Sequence, residues 1–128
     1  MRILLDTHTF LWFAVQPDLL SKTARTILKD SENDFFLSSI SAWEIEQKCQ
    51  IGKLPLPQAP AAIIEEFRNI YDFLPLAFDE TAAFQLHKLP NIHNDPFDRM
   101  LICQAIQHSL GILTNDRFIT QYPVKTLW

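Results

Sequence analysis

Four acidic residues, Asp6, Glu44, Asp98 and Asp116, are distant in the chain but occupy places of one kind. Asp6 closes the apolar run ILL, and Asp116 follows ILTN. Glu44 falls in the first turns of a helical stretch after FFL, and Asp98 in the first turn of a helix begun by Asp95-Pro96. In an open parallel sheet the carboxyl ends of the strands share one edge, where ligands bind near the reversal of strand order. Connectivity carries Asp6, Glu44 and Asp116 to that edge. Asp98 joins them if its helix starts there, as a helix between the third and fourth strands normally does. Carboxylates gathered in this way repel one another and raise each other's pKa unless cations hold them. Oxygen ligands with no His or Cys cluster suit Mg2+ or Mn2+, which keep several waters and bind phosphate oxygens. The chemistry open to such a site is phosphodiester hydrolysis, with a water activated and the leaving oxygen stabilised by the cation.

Each acid also has a plainer role. Ser41-Ala42-Trp43-Glu44 fits a capping box, and Glu44 and Lys48 form an i,i+4 pair. Asp116 can cap the turn through Arg117-Phe118, and Asp98 can decorate a helix dipole or pair with Arg99. Asp95 reads as the helix cap, with Pro96 at the first helical position, where its missing N–H costs nothing. Asp6 is the hardest to assign a structural role, because an uncompensated carboxylate beside a core is costly.

The elements that must position these residues follow from periodicity. Ile3–Leu5, Phe35–Leu37, Phe73–Leu76, Ile112–Thr114 and Val124–Leu127 read as short strands. Between them the spacing predicts helices over 8–15 (Leu11, Trp12 and Val15 inward) and 22–30 (Ala24, Ile27 and Leu28 inward). Further helices are predicted over 40–51 (Ile40, Trp43, Gln47 and Ile51 on one face, Gly52 as the stop) and 61–71 (Ile63, Ile64, Phe67 and Ile70 inward). Two more cover 81–89 and 96–108, and a short turn or helix covers 117–120. Strands alternating with helices imply an α/β fold with a mostly parallel sheet covered on both faces. Phe10, Trp12 and Phe13 read as core, with one or two partly exposed, although a groove for a partner helix would use the same residues.

With 128 residues the chain is expected to form one domain. No apolar run nears the roughly twenty residues a membrane helix needs, and the N-terminal run is too short for a signal peptide. Cys49 and Cys103 have no CxxC spacing and read as small buried hydrophobes in a reducing, cytoplasmic setting. The net charge of −4, with scattered basic residues, argues against a broad nucleic-acid footprint. Bound divalent cations would make the acidic edge look less negative to a phosphate than this charge suggests.

Taken with their spacing, the strings LLDTHTFLW, WEIEQKCQIGKL, HNDPFDRMLICQA and ILTNDRFI resemble PIN-domain proteins, in particular VapC-like toxins of type II toxin–antitoxin systems. The resemblance spans residues 1–128. It implies a three-layer α/β/α sandwich and a Mg2+- or Mn2+-dependent endoribonuclease acting on an RNA substrate. It also implies a homodimer silenced by a cognate antitoxin protein. By position, Asp6, Glu44, Asp98 and Asp116 match the family's acidic quartet as catalytic and metal-holding residues. Thr7 matches a small hydroxyl residue beside the first acid, and Asn115 the polar residue before the last. Asp95 and His93 belong to the motif, and Lys48, Arg99 and Arg117 can support the site by ion pairing or phosphate contact. His8 and His93 read best as polar turn residues, with RNA contact or proton transfer as the sharper role. Two other functions compete. One is a catalytically weak nucleic-acid-binding or regulatory PIN subunit. The other is a magnesium-dependent phosphatase, disfavoured because LLDTHT has His8 where that class needs a second acid.

Overall fold

The computed structural model describes residues 1–128. Strands β1 (Arg2–Leu5), β2 (Asp34–Ser38), β3 (Leu74–Leu76), β4 (Gly111–Leu113) and β5 (Thr126–Leu127) form one sheet of order β3-β2-β1-β4-β5. Every neighbouring pair is parallel. The chain builds outward from β1 through β2 to β3, then crosses back to place β4 on the other side of β1. The switch in winding direction therefore falls between β1 and β4, where the carboxyl ends of two neighbouring strands diverge into a crevice.

Successive side chains of a strand face opposite sides of the sheet, and both sides here are apolar. Ile3, Leu5, Phe35, Leu37 and Leu113 point into one core, shared with helices α1 (Thr7–Val15), α2 (Lys22–Lys29) and α4 (Pro60–Tyr71). Leu4 and Ile112 point into the other, with Leu101, Ile102 and Ala105 of α6 (Pro96–His108). Helix α3 (Ser39–Gln50) reaches both cores, Ile45 packing in the first and Ile40 against the second. The result is a three-layer α/β/α sandwich.

Several predicted faces shift. Trp43 and Ile51 of the expected inward stripe are 66% and 59% exposed, and the buried residues of α3 are Ser41, Glu44 and Ile45. A polar face turns inward because partners await it: the Ser41 hydroxyl meets Thr7 of α1 at 2.8 Å, so its burial leaves no unpaired donor. The helix also begins at Ser39 with Ser38 as its cap, so Ser41-Glu44 is not a capping box. Val15 and Ile70, expected inward, lie on the exposed sides of α1 and α4. The helix expected over 81–89 divides into α5 (Glu80–Ala83) and a 3₁₀ segment, Phe84–Lys88. Gly52 follows α3 at φ +75°, a left-handed turn that any side chain would strain. The cysteines are free, Cys103 being buried and Cys49 half-buried. No helix is long and apolar enough to cross a membrane.

Ile112 is wholly buried in the core beneath α6. Ile112→Ala is expected to lower stability by about 2–5 kcal/mol through lost transfer energy and the cavity left behind. Chemical denaturation measures this directly.

Candidate functional site

Asp6 follows β1 and stands at the cap position of α1, yet its side chain makes no capping bond. It is 2% exposed. Its Oδ2 accepts from Thr114 Oγ1 at 2.7 Å, and its Oδ1 is buried with no hydrogen-bond partner. The Thr114 hydroxyl also accepts the Asp116 N–H at 3.0 Å, so a single threonine at the end of β4 bridges the first and last acids. Asp116 in turn accepts the N–H groups of Phe118 (2.8 Å) and Ile119 (3.1 Å), the expected cap of the closing turn.

Glu44 is 4% exposed, and its Oε2 accepts from Lys48 Nζ at 2.5 Å, the expected i,i+4 pair. Two buried polar contacts set α3 against its neighbours. Thr7 and Ser41 join it to the first turn of α1, and Ser38 Oγ donates to Gln104 Oε1 of α6 at 2.5 Å. Asp95 caps α6 by accepting the Asp98 N–H at 3.0 Å. That leaves the Asp98 carboxylate free to turn elsewhere, and its Oδ2 meets His93 Nε2 at 3.0 Å.

Electrostatics shows that these acids occupy one field. Burial pushes the Asp6 carboxyl above the usual range. The Thr114 bond and the nearby His8 oppose this, and the charges of Asp116 and Glu44 reinforce it. Asp98 is pushed up to about 7, chiefly by burial. The His93 bond opposes the shift, and Asp95, Asp6 and Asp116 add to it. The quartet is thus gathered within mutual repulsion, although no three His, Cys, Asp or Glu side chains form a ready-made metal-ligating group. Asp6 Oδ2, Glu44, Asp98 Oδ2 and Asp116 Oδ1 each turn toward a donor of the chain instead. Asp6 Oδ1 differs in being a fully buried carboxyl oxygen with nothing to accept from. A hard cation is the partner that such an oxygen and an all-carboxylate donor set fit. Clefts of about 400 and 420 Å³ elsewhere contain none of the four acids, so charge rather than cavity size marks the site.

The supporting residues divide. Thr7 and Lys48 join the site through Ser41 and Glu44. Asn115 is exposed beside Asp116. Arg99 does not pair with the quartet: its Nη1 donates to the Pro90 carbonyl at 3.0 Å and to the Tyr122 hydroxyl at 2.8 Å, bracing the loop before α6. Arg117 is exposed, its guanidinium 5.0 Å from the centre of the Phe118 ring. His8 is exposed beside Asp6, whereas His93 is no free turn residue but is held between Asp98 and Tyr122. Sequence reasoning missed Ser38, Ser41, Gln104, Thr114 and Tyr122. Only Thr114 carried a signal, as a hydroxyl at the end of an apolar strand next to Asn115-Asp116.

The PIN domain family model matches residues 3–125. The chain belongs to the PIN domain family. It is 26% identical to "Ribonuclease VapC22" of Mycobacterium tuberculosis, the alignment covering 98% of each chain. Its fold is similar to the crystal structure of VapBC2 from Rickettsia felis bound to a DNA fragment from its promoter (TM-score 0.74, 14% identity, 99% of this chain and 98% of that one). It is also similar to DNA-bound VapBC from Salmonella typhimurium (TM-score 0.68, 18% identity, 99% of this chain and 97% of that one). At these identities the structures establish the fold. Asp6 and Asp116, at opposite ends of the primary sequence, both fall within the matched span.

The raised Asp98 carboxyl gives this PIN domain a pH signature when chelator is present. Its pKa is near 3.8 when unfolded and about 7 when folded, so the protonated form favours folding. That stability is fully present below about pH 4 and is lost as pH rises through about 7. Asp98→Asn removes the titration. Thermal melts in chelator are expected to show its advantage over the parent growing from about pH 4 to about pH 7.

Proposed function

We propose that this chain is a divalent-metal-dependent endoribonuclease and the toxin of a type II toxin–antitoxin pair. The observation that carries the reading is the partnerless Asp6 Oδ1, buried at the strand-order switch among the charges of Glu44, Asp98 and Asp116. The likeness to a protein named as a ribonuclease supports the same direction.

In this reading Asp6, Glu44, Asp98 and Asp116 hold Mg2+ or Mn2+. The bound ion supplies Lewis acidity, activating water and offsetting charge on the leaving oxygen. The chain's own groups prepare the ground. Thr114 fixes the Asp6 carboxylate through one oxygen and leaves the other free. Lys48 offsets Glu44 and, being one-third exposed, can swing toward a phosphate. Exposed Arg117 and His8 flank the acids on the solvent side, where an RNA backbone would approach, and a guanidinium suits paired phosphate oxygens. Arg99 is tied to the loop before α6 through Nη1. An antitoxin protein as partner, a homodimer and a cytoplasmic location belong to this reading. The free cysteines accord with a reducing compartment.

Purified protein without any partner is expected to cleave RNA in Mg2+ and to stop when a chelator is added. Asp6→Asn keeps an oxygen for Thr114 but loses the charge, and is expected to lower cleavage by at least ~100-fold. The same variant should melt at a higher temperature than the parent in chelator, because repulsion is relieved. Cleavage by Asp6→Asn at the parent's rate would sink the nuclease reading. Antitoxin-free protein with no cleavage at all would favour a binding or regulatory subunit.

A further inference from the structure

We propose that His93 is a positioning residue for Asp98, fixed in one tautomer by Tyr122 and Arg99, and that this chain of donors sets how firmly Asp98 holds a divalent cation. The inference rests on the reading that Asp98 is one of the ion's ligands. The His93 ring lies between the Tyr122 hydroxyl, 2.8 Å from Nδ1, and Asp98 Oδ2, 3.0 Å from Nε2. It stacks on Phe118 with ring centres 5.0 Å apart and planes 11° from parallel, and Tyr122 packs edge-on against it. A ring clamped on this many sides is not a solvent-facing turn residue.

Hydrogen-bond counting assigns the proton. The Tyr122 hydroxyl accepts from Arg99 Nη1 at 2.8 Å and from the His93 backbone N–H at 3.3 Å, which fills both its lone pairs. Its own hydrogen must then be donated. The His93 carbonyl at 3.5 Å is a poor acceptor beside Nδ1 at 2.8 Å. Nδ1 is therefore the acceptor, and the ring proton sits on Nε2, donated to Asp98. The other hydrogen of Arg99 Nη1 goes to the Pro90 carbonyl at 3.0 Å, so the chain starts from a fixed point. The consequence is local to Asp98: Oδ2 is committed to His93, and Oδ1 accepts no hydrogen bond from the chain and is left for the ion. The stack extends the device, since the backbone N–H of Phe118 also fixes Asp116. One imidazole thus links the groups that orient two of the four acids.

The test is Mn2+ binding by titration calorimetry or electron paramagnetic resonance, with thermal melts to confirm folding. His93→Ala is expected to weaken Mn2+ binding by ~10-fold, in the range found for groups that orient metal-ligating side chains. His93→Gln, which keeps a donor near the Nε2 position, should recover most of that loss, as a space-filling role would not require. Tyr122→Phe keeps the ring and removes the hydroxyl. It should weaken binding several-fold alone and add nothing to His93→Ala, because the two act in one chain. In metal-free protein, ¹⁵N shifts should place the His93 proton on Nε2 in the parent and show a mixture of the two tautomers in Tyr122→Phe. If folded His93→Ala and Tyr122→Phe bind Mn2+ as the parent does while Asp6→Asn does not, the positioning role is overturned and the metal reading stands. If Asp6→Asn also binds as the parent does, both are overturned.

Discussion

Repulsion between carboxylates at the carboxyl edge of a parallel sheet is the constraint around which the rest of this protein is arranged. Asp6, Glu44 and Asp98 leave bulk water almost wholly or in large part, and each feels the charge of others. Burial alone disfavours an ionised carboxylate, and neighbouring charges of like sign deepen the penalty. The chain offsets it piecemeal with an uncharged hydroxyl at Asp6, an ammonium at Glu44, an imidazole at Asp98 and backbone amides at Asp116. These are four different solutions to one problem, and Asp6 Oδ1 is the one fully buried oxygen of the four acids left without a partner.

The polar contacts beneath the site explain how elements remote in sequence keep their register. Apolar packing between helix and sheet tolerates changes of shape as long as volume is kept, and does not by itself fix a rotation. Hydrogen bonds do. Thr7 to Ser41 orients α3 against α1, Ser38 to Gln104 orients it against α6, and Thr9 to the Leu113 carbonyl joins α1 to β4. All are buried, where an unpaired partner would be costly, so each specifies one arrangement. The fold similarity at 14% and 18% identity fits this division.

The elements that sequence reasoning located well were those with strong local signals. Asp95-Pro96 at one end and His108 at the other delimit α6, because a cap, a proline and a long apolar stripe agree there. The strands were found to within one or two residues, being short apolar runs bounded by polar ones. The face of α3 was misjudged because hydrophobicity was taken as the guide to burial. Trp43 and Ile51 are apolar but largely exposed, whereas Ser41 and Glu44 are polar and meet partners. A helix that borders a polar site inverts the usual pattern. The same reason hid Thr114 and Tyr122, whose roles exist only once β4 lies beside β1 and the closing turn folds over the start of α6.

What the sequence by itself determined is the alternation of strand and helix, hence a parallel sheet, and therefore the edge at which Asp6, Glu44 and Asp116 must stand. These follow from local periodicity and chain connectivity, which act along the backbone and are written in it. Only the tertiary structure decided which oxygens are already engaged, that Arg99 Nη1 braces the loop before α6, and that His93 faces Asp98 rather than solvent. Hydrogen bonds of this kind depend on the distance between atoms brought together by the fold, as with His93 and Tyr122, 29 positions apart, and Asp6 and Thr114, 108 apart. No local pattern encodes such a distance before the sheet has formed.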